Sequence, residues 1–371
     1  MIRVAQWSHQ QGGGLLPAAA RNAHRSWPDR RGLLVTITDD FGHVGFGEAS
    51  PLPGYSPDTL RQCQQALEIA ALPRYLPESV LEAWQRLDPT GQFSRLPALR
   101  CALETAVLDL LGHRTRTPAW RLLLAASGEK PDPGPRGLAR LVTSCDPGVA
   151  ADEARSAMEE GYASIKVKVG GQPLEDDMRV VFKVAEAAAD VNNSQRTGAR
   201  VRVDANRAWE PETATQVLTA LRTWGIEFVE EPVAGGQWSK LAGCSVPLAA
   251  DESLAQGYTV TKLASLGVRT VVLKPTVLGL SRSVALAKAA RSLGMTVVVS
   301  HTFDGKVAYA AAAALALAVG SSDVATGLGP HAGLAAWPGE MPLALDASRL
   351  VPTAAPGLGI PRPERLQVQI R

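Results

Sequence analysis

SIKVKV (164–169), VRVDA (201–205), FVEEP (228–232), PLAAD (247–251), TVVLKP (270–275) and TVVVSH (296–301) decide the architecture of this chain. Each is a short apolar run, and each is followed by a helix-like stretch of a dozen or so residues. LARLVT (138–143) precedes them, and VATGL (324–328) is a weaker eighth candidate. Repeated strand–helix units with strands this short imply a parallel sheet. Seven or eight in one run favour a closed barrel over an open, doubly wound sheet.

Working outward, the N-terminal part has a different rhythm. LLVTIT (33–38), a polar turn at Asp39-Asp40 and VGFGEA (44–49) form a hairpin pattern. Helical spacing follows around Pro57 to Ala71 and Pro97 to Gly112, the second with Leu99, Leu103, Val107 and Leu110 on one face. GEKPDPGPRG (128–137) marks a boundary through its prolines and glycines. The expected organisation is an α+β capping domain over 1–130, a barrel over 131–345 and a C-terminal segment, 346–371, returning to the cap. Val307 to Val319 is mostly alanine, too short to span a bilayer, and reads as a buried helix. Asp304, just ahead of it, is expected as its N-cap.

The 371 residues suit a barrel plus a smaller domain. A formal net charge of +2 without a basic block argues against a nucleic-acid groove. MIRVAQWSHQQGGG has no apolar core, so no secretory signal is expected. Cys63, Cys101, Cys145 and Cys244 lie far apart without CxxC spacing. They read as small buried hydrophobes in a protein of the reducing cytoplasm.

Lys168, Asp204, Glu230, Asp251, Lys274 and Ser300-His301 all stand at or near C-terminal strand ends. In a parallel barrel those ends meet on one face, where the active site is built. Two carboxylates about 4 Å apart repel by roughly 4 kcal/mol at an effective dielectric near 20, so three together call for a cation. An all-oxygen set suits a hard divalent ion such as Mg²⁺. Glu230 and Glu231 are adjacent and alternate in direction, so one of them faces the barrel mouth; spacing leaves open which. Lys166 and Lys168 point to the same side of one strand, and Lys274 arrives from the far side. Burial and neighbouring cations lower a lysine pKa, which makes a base usable near neutral pH. Metal plus lysine suggests removal of a proton next to a carboxylate, with the resulting enediolate charge stabilised by the ion.

KVK, VDAN, EEP, ADES and LKP on successive strands resemble the muconate-lactonizing subgroup of the enolase superfamily. GFGEASPLPGYS (45–56), VRVDANRAWEP (201–211), LKPTVLG (273–279) and AWPGEMPL (336–343) narrow the similarity to the o-succinylbenzoate synthases. The resemblance implies an α/β fold, a modified (β/α)7β TIM-type barrel with an N-terminal α+β cap. It implies Asp204, Glu230 and Asp251 as ligands of Mg²⁺, with Mn²⁺ a possible substitute. Lys168 would take the α-proton and then protonate the departing hydroxyl on the same face. Lys274 would stabilise the enediolate from the opposite face. Lys166 would hold the carboxylate and tune Lys168, and Arg202 and Asn206 would line or support the site. The loop Leu52 to Ser56 and the segment Arg21 to Trp27 would close over the substrate, with Gly54 shaping the loop.

The implied reaction is syn dehydration of 2-succinyl-6-hydroxy-2,4-cyclohexadiene-1-carboxylate to 2-succinylbenzoate, in menaquinone biosynthesis. The partner is thus a small-molecule carboxylate, with no nucleic acid or membrane involved; the oligomeric state is not readable. Where many relatives have a serine-rich turn after the seventh strand, this chain has SHTFDG (300–305), so Ser300 and His301 are expected beside the substrate's tail. A racemase or epimerase of N-acylamino acids or dipeptides and a muconate cycloisomerase share the same site plan. A non-catalytic scaffold would be expected to have lost a ligand or a lysine. Neither a G-x-S-x-G elbow nor an evident Ser-His-Asp set is present.

Overall fold

Seven parallel strands run in strict sequence order around one sheet in the computed structural model. They are Ala139–Val142, Ser164–Lys168, Arg200–Asp204, Ile226–Glu230, Leu248–Ala250, Val268–Leu273 and Thr296–Val299. Residues 1–22, 24–129, 134–195, 197–337, 345–346 and 348–360 are described. The eighth position is filled by two parallel bridges, Leu138 with Thr326 and Ser300 with Gly327, which join the seventh strand to the first and close the barrel. VATGL therefore takes the place expected of it, although only its middle residues pair. Glycine at 327 suits the close approach there, since a Cβ would stand 2.7 Å from the Ser300 hydroxyl.

Helices wrap the barrel after most strands. The longest, Leu174–Gln195, buries its Val180, Val181, Val184 and Ala188 stripe against the sheet and carries three acids in its first turn, where the helix dipole favours them. The alanine-rich helix Lys306–Val319 is buried from Val307 to Val319. Its N-cap is Gly305, without a side-chain cap bond, which corrects the role expected of Asp304. Asp304 turns back instead and accepts from the backbone and hydroxyl of Thr302. Glu48 supplies the missing acceptor by taking the N–H groups of Gly305, Val307 and Ala308.

The N-terminal module is a four-stranded antiparallel sheet. The expected hairpin pairs Leu33 with Ala49 through Thr38 with Val44. Ile2–Arg21 adds a long strand that the sequence did not advertise, because GGGLLPAAA lacks alternation. The sheet lies directly on helix Pro97–Thr115. A Cβ at Gly47 would stand 1.8 Å from the Ala102 carbonyl oxygen, and one at Gly45 2.1 Å from that of Ala106. The same helix docks on the barrel through Glu104, which accepts from the backbone and hydroxyl of Ser281. Near the other end of the chain, Gly357 and Leu358 bond to Thr117 and Asp109 of the helical layer.

The boundaries assigned at 130 and 345 adjoin residues outside the described ones, as do AWPGEMPL beyond Trp337 and the segment after Ile360. Cys63 and Cys101 are buried as expected; Cys145 is exposed and Cys244 half-buried, because both sit in loops between barrel elements. Among the described residues no helix is long and apolar enough to cross a membrane.

Candidate active site

The parallel register aligns the polar strand ends. Lys168 lies beside Asp204, and Asp204 beside Glu230. Asp251 and Lys274 follow directly on the ends of the fifth and sixth strands. The second and sixth positions of an eight-position barrel are opposite each other, so Lys168 and Lys274 face across the mouth.

Lys166 bridges the acids, with its Nζ 2.9 Å from Asp204 and 2.8 Å from Glu230. Burial pulls its pKa down, but Asp204 and Glu230 outweigh that and hold it charged, above the ordinary lysine value. Lys274 pairs with Asp251 and donates to the Tyr55 hydroxyl at 2.7 Å. Burial again opposes its charge, and the acids, Asp251 foremost, raise its pKa. Lys168 differs. Its Nζ donates to the Arg21 carbonyl at 3.3 Å and lies 5.7 Å from the Phe303 ring centroid. Burial is the main reason its pKa falls below the ordinary lysine value; Asp204 opposes the shift, and Lys166 and Lys274 add to it.

The carboxylates diverge as well. Asp204 is lowered, because the three lysines overcome the cost of burial. Glu230 is raised to about 7 by burial and by neighbouring Asp204. Asp251 is raised by burial despite Lys274. Among the described residues, no three acidic, histidine or cysteine side chains form a ready-made metal cage; the lysine ammonium groups stand among the carboxylates instead. Each of the three nevertheless turns only one oxygen to a lysine. Glu230 Oε1 is buried without a hydrogen-bond partner, as are Asn206 Oδ1 and Glu252 Oε2. Buried acceptors left unmatched are costly, and a cation satisfies them. The donor set therefore fits a hard divalent ion.

Glu231 answers the question left by the adjacent glutamates. It adopts a left-handed φ of 43° and points toward the fifth strand. There its carboxylate accepts from the N–H of Asp251 and Ser253, both at 2.8 Å, and from the Ser253 hydroxyl. It shapes the turn that presents Asp251. Glu230 faces the lysines.

The family model described as Enolase C-terminal domain-like matches residues 149–365, more than half of the chain. The chain belongs to the enolase superfamily. An o-succinylbenzoate synthase of Klebsiella pneumoniae (strain 342) is 31% identical over 287 residues, covering 75% of this chain and 76% of the relative. A muconate lactonizing enzyme of Pseudomonas fluorescens, solved with muconolactone, superposes with a TM-score of 0.82 at 22% identity over 98% of each chain. A dipeptide epimerase of Enterococcus faecalis V583, solved with Mg and L-Leu-L-Tyr, gives 0.81 at 23% identity over 97% of this chain and 100% of that one. At such identities the solved structures establish the fold. As a superfamily member this chain is an enzyme, and magnesium binding is a property of the superfamily.

The other residues expected at the site take separate stations. Asn206 stands beside the first carboxylate, its backbone N–H on Asp204 at 3.1 Å and its amide on Glu252 at 2.9 Å. Arg202 lies one inward layer deeper. It pairs with Glu227 and donates to the Ala325 carbonyl, over the Phe228 ring, so it seals the barrel floor and supports the lysine layer. The Ser300 hydroxyl donates to the Gly327 carbonyl and is engaged in barrel closure. His301 stands at the mouth, stacked on His331 with centroids 3.7 Å apart.

The cap reaches into the site from both expected segments. His24 Nε2 contacts the Asn206 carbonyl oxygen at 2.8 Å, and Tyr55 bridges Lys274 and Asp251. Gly54 has a φ of 71°, and the Arg25 guanidinium fills the space where a side chain would stand. Tyr55 and Glu252 were not singled out as functional by sequence, and Glu231 entered only as the alternative to Glu230. The signal available for Tyr55 was its place in the Leu52–Ser56 loop. Glu252 and Glu231 each adjoined a predicted ligand.

Proposed function

We propose that the protein is an o-succinylbenzoate synthase, a lyase that converts 2-succinyl-6-hydroxy-2,4-cyclohexadiene-1-carboxylate to 2-succinylbenzoate and water. The observation that carries this reading is the unequal state of the two facing lysines. Among the described residues Lys168 has no carboxylate partner, and burial lowers its pKa, as a base requires. Lys274 is ion-paired with Asp251 and raised, as a fixed positive charge requires. A racemase that works from both faces needs two lysines able to exchange protons; a syn dehydratase needs one.

Lys168 removes the α-proton, and its ammonium then returns that proton to the hydroxyl that departs from the same face. Carbon–oxygen cleavage forms the aromatic ring and releases water, so atoms balance without a redox partner. Lys274 offsets the negative charge that develops on the carboxylate. Asp204, Glu230 and Asp251 would hold Mg²⁺, with Asn206 supporting Asp204 and Glu231 supporting Asp251. When bound, the ion supplies Lewis-acid stabilisation of the substrate carboxylate. The Klebsiella relative at 31% identity supports the choice of reaction. Side-by-side rates for the cyclohexadiene acid and for dipeptides test it. Dehydration should exceed epimerisation by orders of magnitude in kcat/KM, and the reverse order would transfer the protein to the epimerases.

A further inference from the structure

The two edges of the cap sheet are finished differently. On one side, strand Val44–Ala49 is buried almost throughout; Asp109 accepts its Phe46 N–H at 2.9 Å, and Glu48 lies under the barrel helix. On the other side, Ile2–Arg21 is covered only at its start. Tyr75–Leu76 pairs with Ile2 and Arg3, and the Val4 N–H reaches the Arg74 carbonyl at 2.8 Å. Among the described residues, no strand continues that line beside residues 6–11. A groove of about 450 Å³ lies there, lined by Trp7, His9, Val35, Leu67, Ala71 and Leu72. At Gly12 cover resumes, since a Cβ there would stand 2.5 Å from the Trp337 ring.

The open stretch is regular. Its register with Ser26–Asp39 runs unbroken from Gln6 opposite Thr38 to Gln11 opposite Leu33. Its residues are exposed except Trp7, which is half-buried. Soluble proteins guard such an edge with charged side chains, prolines, bulges or a covering segment. Here the register breaks only before Gln6 and after Leu15, and no Asp, Glu, Lys or Arg stands between Arg3 and Arg21. A charged edge selects an oppositely charged partner and repels its own copy; a neutral edge accepts its own copy without that penalty.

Twofold pairing also fits the slot. A second copy of the strand, laid antiparallel, runs in the direction of Tyr75–Leu76, which is itself antiparallel to Ile2–Arg21. About an axis perpendicular to the sheet, residues of equal parity face each other. Ser8 therefore lies opposite Ser8 or Gln10 of the partner subunit on one face, while Trp7 and His9 meet their counterparts on the face that lines the groove. Every second residue turns its N–H and C=O outward, which gives about six backbone hydrogen bonds across the pair. A specific interface carries roughly ten, and the exposed glutamines and the filling of both grooves supply the remainder.

We propose that residues 6–11 are the dimerisation edge of this protein, through which two copies pair antiparallel and join their cap sheets into one. The groove beside Trp7 is filled from the other copy, as an isologous contact requires. The inference is independent of the reaction that the barrel catalyses.

Sedimentation equilibrium of the full chain tests it, with an expected mass twice the 39.2 kDa of one chain. Amide exchange in residues 6–11 should be slow in the dimer and quicken on dilution. Ser8→Lys combined with Gln10→Lys places lysine opposite lysine in either register. It should raise the dissociation constant roughly tenfold or more, and high salt should restore part of the association by screening. A misfolded variant would show no such recovery. Ser8→Thr with Gln10→Thr, neutral and suited to a strand, should leave the dimer intact. A monomeric wild type, a dimer whose exchange at 6–11 ignores concentration, or a dimer indifferent to the two lysines would each overturn the proposal. A monomer with residues 6–11 protected would mean that another segment of the same chain fills the slot, and would overturn it equally.

Discussion

Replacing Lys166 by methionine isolates the electrostatic logic of the site. The side chain volume is nearly kept, so the cavity cost is small. What is lost is an ammonium group 2.9 Å from Asp204 and 2.8 Å from Glu230, whose side chains are only 1% and 3% exposed. At an effective dielectric near 20 each contact is worth about 6 kcal/mol in gross Coulomb energy. Desolvation of the ammonium offsets much of that, and breaking a buried pair typically costs about 3–5 kcal/mol. Urea unfolding in excess chelator at pH 8 should show a destabilisation of this size.

The penalty should shrink in two circumstances. The first is lower pH. Glu230 has a folded-state pKa of about 7, above its ordinary 4.5. Its effect on stability is therefore most favourable below 4.5 and is lost as pH rises through about 7. Without Lys166 the same carboxyl protonates still more readily, so near pH 6 it no longer stands as a second uncompensated charge. The second circumstance is saturating Mg²⁺, which would replace the missing cation and narrow the gap between variant and wild type. A loss below about 1 kcal/mol in chelator, or a gap that Mg²⁺ leaves unchanged, would refute the view that these carboxylates converge on a cation site.

Lys168→Ala should abolish turnover, a loss of at least 10²- to 10⁴-fold, while the unfolding midpoint stays near that of the wild type. Because Lys168 must be neutral to accept a proton and its pKa is lowered, activity should rise with pH through a value below 10.5. In Lys166→Met that limb should move upward if residual activity allows kcat/KM to be followed, since one neighbouring cation is gone. Glu231→Ala removes the oxygen to which the N–H groups of Asp251 and Ser253 donate, so it should cost about 1–3 kcal/mol and weaken Mg²⁺ binding, read by metal titration. Gly47→Ala must push the cap sheet off helix Pro97–Thr115, since its Cβ would stand 1.8 Å from a carbonyl oxygen; thermal unfolding should register a loss of about 1–3 kcal/mol or more.

The barrel and the residues at its mouth were legible because both follow from local pattern. Apolar strands repeat at regular intervals, and parallel topology sends equivalent strand ends to one face, so local pattern alone gathers Lys168, Asp204, Glu230, Asp251 and Lys274. Contacts between distant segments were not legible. Asp304 had the ordinary position of an N-cap, and nothing local indicated that Glu48, some 260 residues away, would take the helix N-terminus. Ser300 and Arg202 occupied plausible site positions, yet one is held in barrel closure and the other in a deeper layer by Glu227, through a register shift after Val201 that no single sequence reveals. Strand Ile2–Arg21 escaped notice because its glycines break the alternation, and pairing with Ser26–Asp39 sustains it instead. Tyr55 lay in a loop already expected to close over the site, but its bridge between Lys274 and Asp251 depends on where the cap docks.

The most direct test of the central claim is 2-succinylbenzoate formation from the hydroxycyclohexadiene acid, followed first with Mg²⁺ and then with excess chelator. Rapid turnover that stops with chelator and returns with added Mg²⁺ is the predicted result. Folded, Mg²⁺-loaded protein that forms no 2-succinylbenzoate would contradict the account.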